Sequence, residues 1–164
     1  MGITLLPNSV QGGMTQIAKG TLAGTPLTLT GIPQIYKNLY IEFDNIQGTS
    51  NGAEYYVYWN SVTSGYYSTF IQTNSTTTVN QSNVTIVRFS GFDNSTANFM
   101  YLKFFSYSNP TISKIVEFKS KGGNSQAYGG HGQNSDTGAI STIYVGNSTG
   151  AAYTGGTYTI YGVE

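Results

Sequence analysis

Few residues in this chain could do bond chemistry. Histidine occurs once, at His131, and cysteine not at all, which excludes a thiol nucleophile, a zinc–thiolate site and a disulfide framework. His131 sits in a Gly-, Asn- and Ser-rich stretch, residues 122–138, with Asp136 as the nearest acid. A triad or metal centre there needs partners from distant loops, whereas a solvated histidine needs none, so the simpler reading is preferred. Glu42 and Asp44 lie two apart in a strand-like segment, which sets their carboxyls about 7 Å apart on one face, a spacing that glycosidases can use. Any exposed strand with alternating polar residues produces the same spacing, and Lys37, Lys103 and Lys119 are available as neighbours. The expectation is a protein with no catalytic residue, no metal and no cofactor, and not an enzyme; a glycoside hydrolase built on Glu42 and Asp44 is the minority reading.

Aromatic rings stand where reactive groups are missing. The 14 Tyr, 8 Phe and single Trp make up 14 % of the chain, while charged residues reach only 9 % and the formal net charge is zero. Soluble proteins average roughly 25 % charged residues, so solubility here falls to Thr, Ser, Asn and Gln. Seven scattered Lys and Arg cannot assemble the phosphate contacts that nucleic-acid binding requires. No segment approaches the ~18 consecutive apolar residues of a membrane span, and residues 1–20 lack the pattern of a secretion signal. Uncharged, Tyr-rich surfaces suit assembly and adhesion, since Tyr packs with its ring and hydrogen-bonds with its tip. Tyr55, Tyr56, Tyr58, Trp59, Tyr66 and Tyr67 crowd one predicted hairpin, an aromatic interface that serves a core or subunit contact or, alternatively, stacks on sugars. The 122–138 stretch is long for a loop and has the composition of adaptable binding loops, so Tyr128, His131, Gln133, Asn134 and Asp136 are candidate receptor or partner contacts.

The elements that must position these residues are strands. Branched and aromatic runs separated by turn residues predict strands over 27–32, 36–46, 54–62, 66–72, 84–92, 98–107, 112–120, 139–146 and 156–163. A prolyl start at Pro33 predicts at most one helical turn over 33–38. Eight or nine antiparallel strands pack as a jelly-roll-like β-sandwich over residues 26–164, an all-β fold with very little helix, preceded by an arm or edge segment over 1–25 that shows no sustained period. Gly155-Gly156 followed by Thr, Tyr, Ile and Val predicts that the last segment is a strand paired inside a sheet. Residues 99–105 are apolar on both faces, as in a central strand or one covered by another subunit, which points to a homo-oligomer.

Two stretches carry a family resemblance: Gly31-Ile32-Pro33-Gln34-Ile35-Tyr36-Lys37-Asn38-Leu39-Tyr40-Ile41, and the ending Tyr153-Thr154-Gly155-Gly156-Thr157-Tyr158-Thr159-Ile160-Tyr161-Gly162-Val163. They resemble the small β-rich virion proteins of tailed bacteriophages, found near tail-fibre genes, whose chains read Ile-Pro-Gln-x-Tyr-Lys-x-Leu early and Gly-x-x-Thr-Leu-Tyr-Gly at the end. The resemblance implies a jelly-roll-like component on the exterior surface of the phage particle, repeated as a homotrimer. It further implies contacts with other virion proteins and a tail-fibre or receptor-binding part in adhesion to a host glycan or protein. A capsid decoration protein anchored by the 1–25 arm is the alternative, and a carbohydrate-binding module a further one. The shared motifs imply no ligand residues.

Overall fold

The computed structural model describes residues 10–11, 13–24, 27–50, 54–73, 78–84, 87–91, 98–121 and 127–164. Residues 1–9 of the expected arm and 122–126 of the expected loop lie outside the described residues. Nine strands form one antiparallel sheet, in spatial order β1 (Val10–Gln11), β2 (Met14–Thr21), β13 (Tyr153–Val163), β4 (Asn38–Gly48), β9 (Asn98–Phe105), β10 (Lys114–Lys121), β11 (Ala127–Asn134), β6 (Tyr66–Gln72) and β7 (Thr78–Val84). Four more form a second sheet in the order β3 (Leu27–Thr30), β12 (Thr142–Asn147), β5 (Glu54–Trp59) and β8 (Val87–Gly91). The chain is all-β, and among the described residues none is helical.

Period-2 alternation explains which side of each strand meets the core. In β4, Leu39, Ile41 and Phe43 are buried while Tyr40, Glu42 and Asp44 face outward; in β5, Tyr55, Val57 and Trp59 are buried while Tyr56 and Tyr58 are not. Met100, Leu102, Phe104, Val116, Phe118 and Ile160 from the large sheet meet Leu29, Val57, Trp59, Ile143 and Val145 from the small one. Trp59 is the keystone between the layers. Its ring stands edge-on to Tyr66 at 4.8 Å and to Phe104 at 5.7 Å, and its backbone N–H donates to the Tyr66 hydroxyl at 3.1 Å.

The final segment is a strand inside the sheet, between β2 and β4. The apolar stretch 99–105 lies in β9, between β4 and β10. Four strands were not expected. One is β2, whose hydrophobic period is broken by a β-bulge: Ala18 pairs with Ile160 but Gln16 with Tyr161, leaving Ile17 as the extra residue, so that Ile17 and Ala18 are both buried. Two more, β1 and β7, are edge strands, and β7 in particular is polar and exposed along most of its length, so it carries no alternation to read.

The fourth unexpected strand corrects the reading of 122–138 as a loop, because residues 127–134 are β11, paired with both β10 and β6. Its glycines hide it from strand propensity yet are what the packing demands. A Cβ on Gly130 would fall 2.1 Å from the Thr69 carbonyl oxygen, and one on Gly132 only 2.5 Å from the Val87 methyls. The bare backbone at Gly132 is what lets β8 of the small sheet close against the large one. The predicted helical turn over 33–38 is also absent; residues 34–37 are bends, held by the Gln34 amide, which donates to the carbonyls of Ile32 at 2.8 Å and Ile140 at 2.9 Å.

Candidate functional site

The outer face of the nine-stranded sheet carries a cleft of about 740 Å³, lined by Met14, Gln16, Tyr40, Glu42, Tyr101, Lys103, Glu117, Tyr161 and Val163. Strand parity turns these side chains away from the core, and register brings them together. Tyr161 on β13 lies opposite Tyr40 on β4, Tyr40 opposite Lys103 on β9, and Lys103 opposite Glu117 on β10, one row across four strands. The adjacent row runs Thr159, Glu42, Tyr101, Lys119 across the same strands. The Tyr40 ring lies 5.4 Å from that of Tyr101 and 6.1 Å from that of Tyr161, both tilted, so three rings form one continuous apolar floor.

Each carboxylate in the cleft is held by a tyrosine. The Tyr40 hydroxyl donates to Glu42 Oε1 at 3.3 Å, and the Tyr101 hydroxyl donates to Glu117 Oε1 at 3.1 Å. Burial raises the Tyr40 phenol well above its ordinary range, and the Glu42 charge raises it further. Burial also raises Tyr101, reinforced by Glu117 and opposed by Lys119, and it raises Tyr161, reinforced by Glu42 and Asp44. All three hydroxyls are therefore protonated donors at neutral pH. The cations have aromatic seats: Lys103 Nζ sits 4.8 Å from the Phe105 ring centroid and Lys119 Nζ 5.9 Å from that of Tyr101. The cleft thus offers rings for the apolar face of a ligand, carboxylate acceptors, and phenolic and ammonium donors.

The two stretches 31–41 and 153–163 meet here. Tyr40 belongs to the first and Tyr161 to the second, and β4 and β13 pair through Leu39 with Gly162 and Asn38 with Val163. A Cβ on Gly162 would fall 2.2 Å from the Tyr36 ring, so this glycine lets one motif lie flat on the other. The Lys37 N–H donates to the Val163 carbonyl at 3.1 Å and completes the junction.

The residues singled out from sequence are distributed differently. Tyr55, Trp59 and Tyr66 are in the core; Tyr56 and Tyr58 lie on the outer face of the small sheet; Tyr67 is exposed on the outer face of the large one. Tyr58 stacks on Tyr144, 4.4 Å apart and 6° from parallel, so those two rings cover each other's faces. Of the former loop candidates, His131 and Gln133 point outward on β11, while Tyr128 packs against Phe70 at 6.3 Å on the core side. Asn134 is buried, donating to the Ser64 carbonyl at 2.8 Å and accepting from the Asp136 N–H at 2.7 Å; Asp136 accepts from the Gly138 N–H at 3.1 Å. Asn134 and Asp136 thus shape the turn after β11. Glu42 does face the cleft, but the carboxylate that shares it is Glu117, and Asp44 is not among the lining residues. Tyr40, Tyr101, Lys103, Glu117 and Tyr161 were missed; outward parity on β4, β9, β10 and β13 is the one sequence signal they share. Among the described residues no group of three or more His, Asp or Glu side chains could hold a metal ion.

Fold and site together define an antiparallel β-sandwich with an open, tyrosine-floored cleft on its larger sheet. No protein-family model, no curated protein and no solved structure matches this chain.

Proposed function

We propose that the protein is a non-enzymatic adhesion module that binds a glycan in the Tyr40–Tyr101–Tyr161 cleft, carried on the exterior of a tailed-phage particle. The cleft supports the binding half of this reading. Tilted rings on an open sheet face suit the C–H faces of pyranose rings, and the flanking carboxylates and hydroxyls suit their alcohol groups. The virion half rests on the likeness of two stretches to motifs of phage β-proteins; here those stretches form one paired junction beside the cleft. A repeated, jelly-roll-like component also fits Phe105 and Ile115, which lie opposite each other on the outer face at 36 % and 42 % exposure and offer apolar area to another copy.

A glycan array probed with wild type, Tyr40→Ala, Tyr161→Ala and, on the opposite sheet, Tyr58→Ala tests the binding reading. Wild type and Tyr58→Ala retain the same glycans, while the two cleft variants lose at least tenfold in affinity; equal binding by all four proteins, or by none, overturns it. Oligosaccharide recovered from the complex keeps its length, and shortened products would refute the non-enzymatic reading. Native mass measurement returns a trimer that Ile115→Glu dissociates; a monomeric wild type removes the repeated-component reading.

A further inference from the structure

The large sheet has a second depression, of about 370 Å³, whose lining includes Ile71, Thr73, Glu117, Lys119, Ala127 and Gly129. Glu117 belongs to both depressions, so they adjoin across β10. The floor of the second is low because position 129, which would carry an outward side chain on β11, is glycine. Taken as one groove, the two depressions span seven strands, from β2 at one end to β6 at the other, about 29 Å at ~4.8 Å per strand interval. Along it the acids Glu42 and Glu117 are matched in number by the bases Lys103 and Lys119, so the lining carries no net formal charge to attract a polyanion or a polycation.

Building on the glycan reading, we infer that the ligand is a neutral, linear polysaccharide held along its interior, running across the strands from the tyrosine cleft over Glu117 and onto the glycine floor of β11. A pocket for a terminal sugar would close at one end, whereas this groove continues from one depression into the next. Sugars over Tyr40 and Tyr161 supply ring contact, Glu117 accepts hydroxyls at the junction, and the strip between Ile71 and Lys119 receives further residues of the same chain.

The test is calorimetric titration with ladders of neutral linear glucose, mannose and galactose oligomers, from disaccharide to octasaccharide, alongside a uronic-acid octasaccharide. The expected result is affinity that rises at least tenfold from the shortest to the longest neutral oligomer, with the uronic acid bound more weakly. Gly129→Leu isolates the second depression, because a Cβ there meets nothing nearer than Lys119 Cγ at 3.6 Å and the fold accommodates it. This variant cancels the gain from length without altering disaccharide affinity, whereas Tyr40→Ala weakens both. Affinity independent of length, or unchanged by Gly129→Leu, overturns the interior-binding inference while leaving the glycan reading in place. Failure of every oligomer to bind overturns the glycan reading and this inference with it.

Discussion

Tyr40 contributes to the cleft in two separable ways, through its ring and through the hydroxyl that orients Glu42. Tyr40→Phe keeps the ring and deletes the donor, so Glu42 loses its anchor; ligand affinity falls by about 1 kcal/mol, the net worth of one such hydrogen bond, and titration of the variant beside Tyr40→Ala separates the two shares. Tyr107 illustrates the buried phenols. It is fully buried, its hydroxyl donates to the Pro33 carbonyl, and burial pushes its pKa from 10.0 up to about 12, with a backbone hydrogen bond at Tyr36 opposing. The unfolded chain therefore releases this proton first. Its contribution to stability is whole below pH 10 and is lost as pH rises from there through about 12. Burial raises Tyr55, Tyr66 and Tyr153 as well, so the urea midpoint holds level up to about pH 10, the ordinary phenol value, and falls above it, with tyrosinate absorbance appearing together with unfolding. A flat midpoint through that range would show that the phenols titrate alike in both states.

Two strands show how single positions secure an element. Lys114, at the start of β10, is fully buried and its Nζ donates to the carbonyls of Asn109, Ile112 at 2.7 Å and Thr137 at 2.9 Å. Burial lowers its pKa and Asp136 opposes that shift. The ammonium ties the turn before β10 to the turn after β11. Lys114→Met fills the space but strands three carbonyls, and chemical denaturation should show a loss of at least about 3 kcal/mol, given about 1–3 kcal/mol for each unsatisfied buried group. On β11, Gly130→Ala drives a methyl against the Thr69 backbone, and the strand must separate from β6 to admit it. A loss at or above the roughly 1–3 kcal/mol of ordinary overpacking is expected, together with faster amide exchange in β6 and β7. These two strands also mark how far local sequence reaches. β4 and β5 were legible because one face is apolar and the other is not; β11 was not, because its defining residues are glycines chosen by neighbours far along the chain.

At the scale of the molecule, the chain passes repeatedly between the sheets and returns its last strand to an interior position of the larger one. Deleting residues 157–164 would strip β2 and β4 of their shared partner and expose the core face of Ile41, Phe43 and Ile17, so loss of cooperative unfolding is expected rather than a locally frayed variant. Amino-acid order alone determined the fold class, most of the strands and the scarcity of reactive side chains, since these follow from propensity, two-residue periodicity and composition, all of which are local. It also marked the two motifs of the β4–β13 junction. Only the tertiary structure decided that Tyr40, Tyr101 and Tyr161 share a floor, that Glu117 and not Asp44 accompanies Glu42, and that the hairpin aromatics divide between the core and the outer faces of the two sheets. The physical reason is register: which residues lie side by side on a sheet depends on pairing between strands distant in the chain, and no local pattern encodes that pairing.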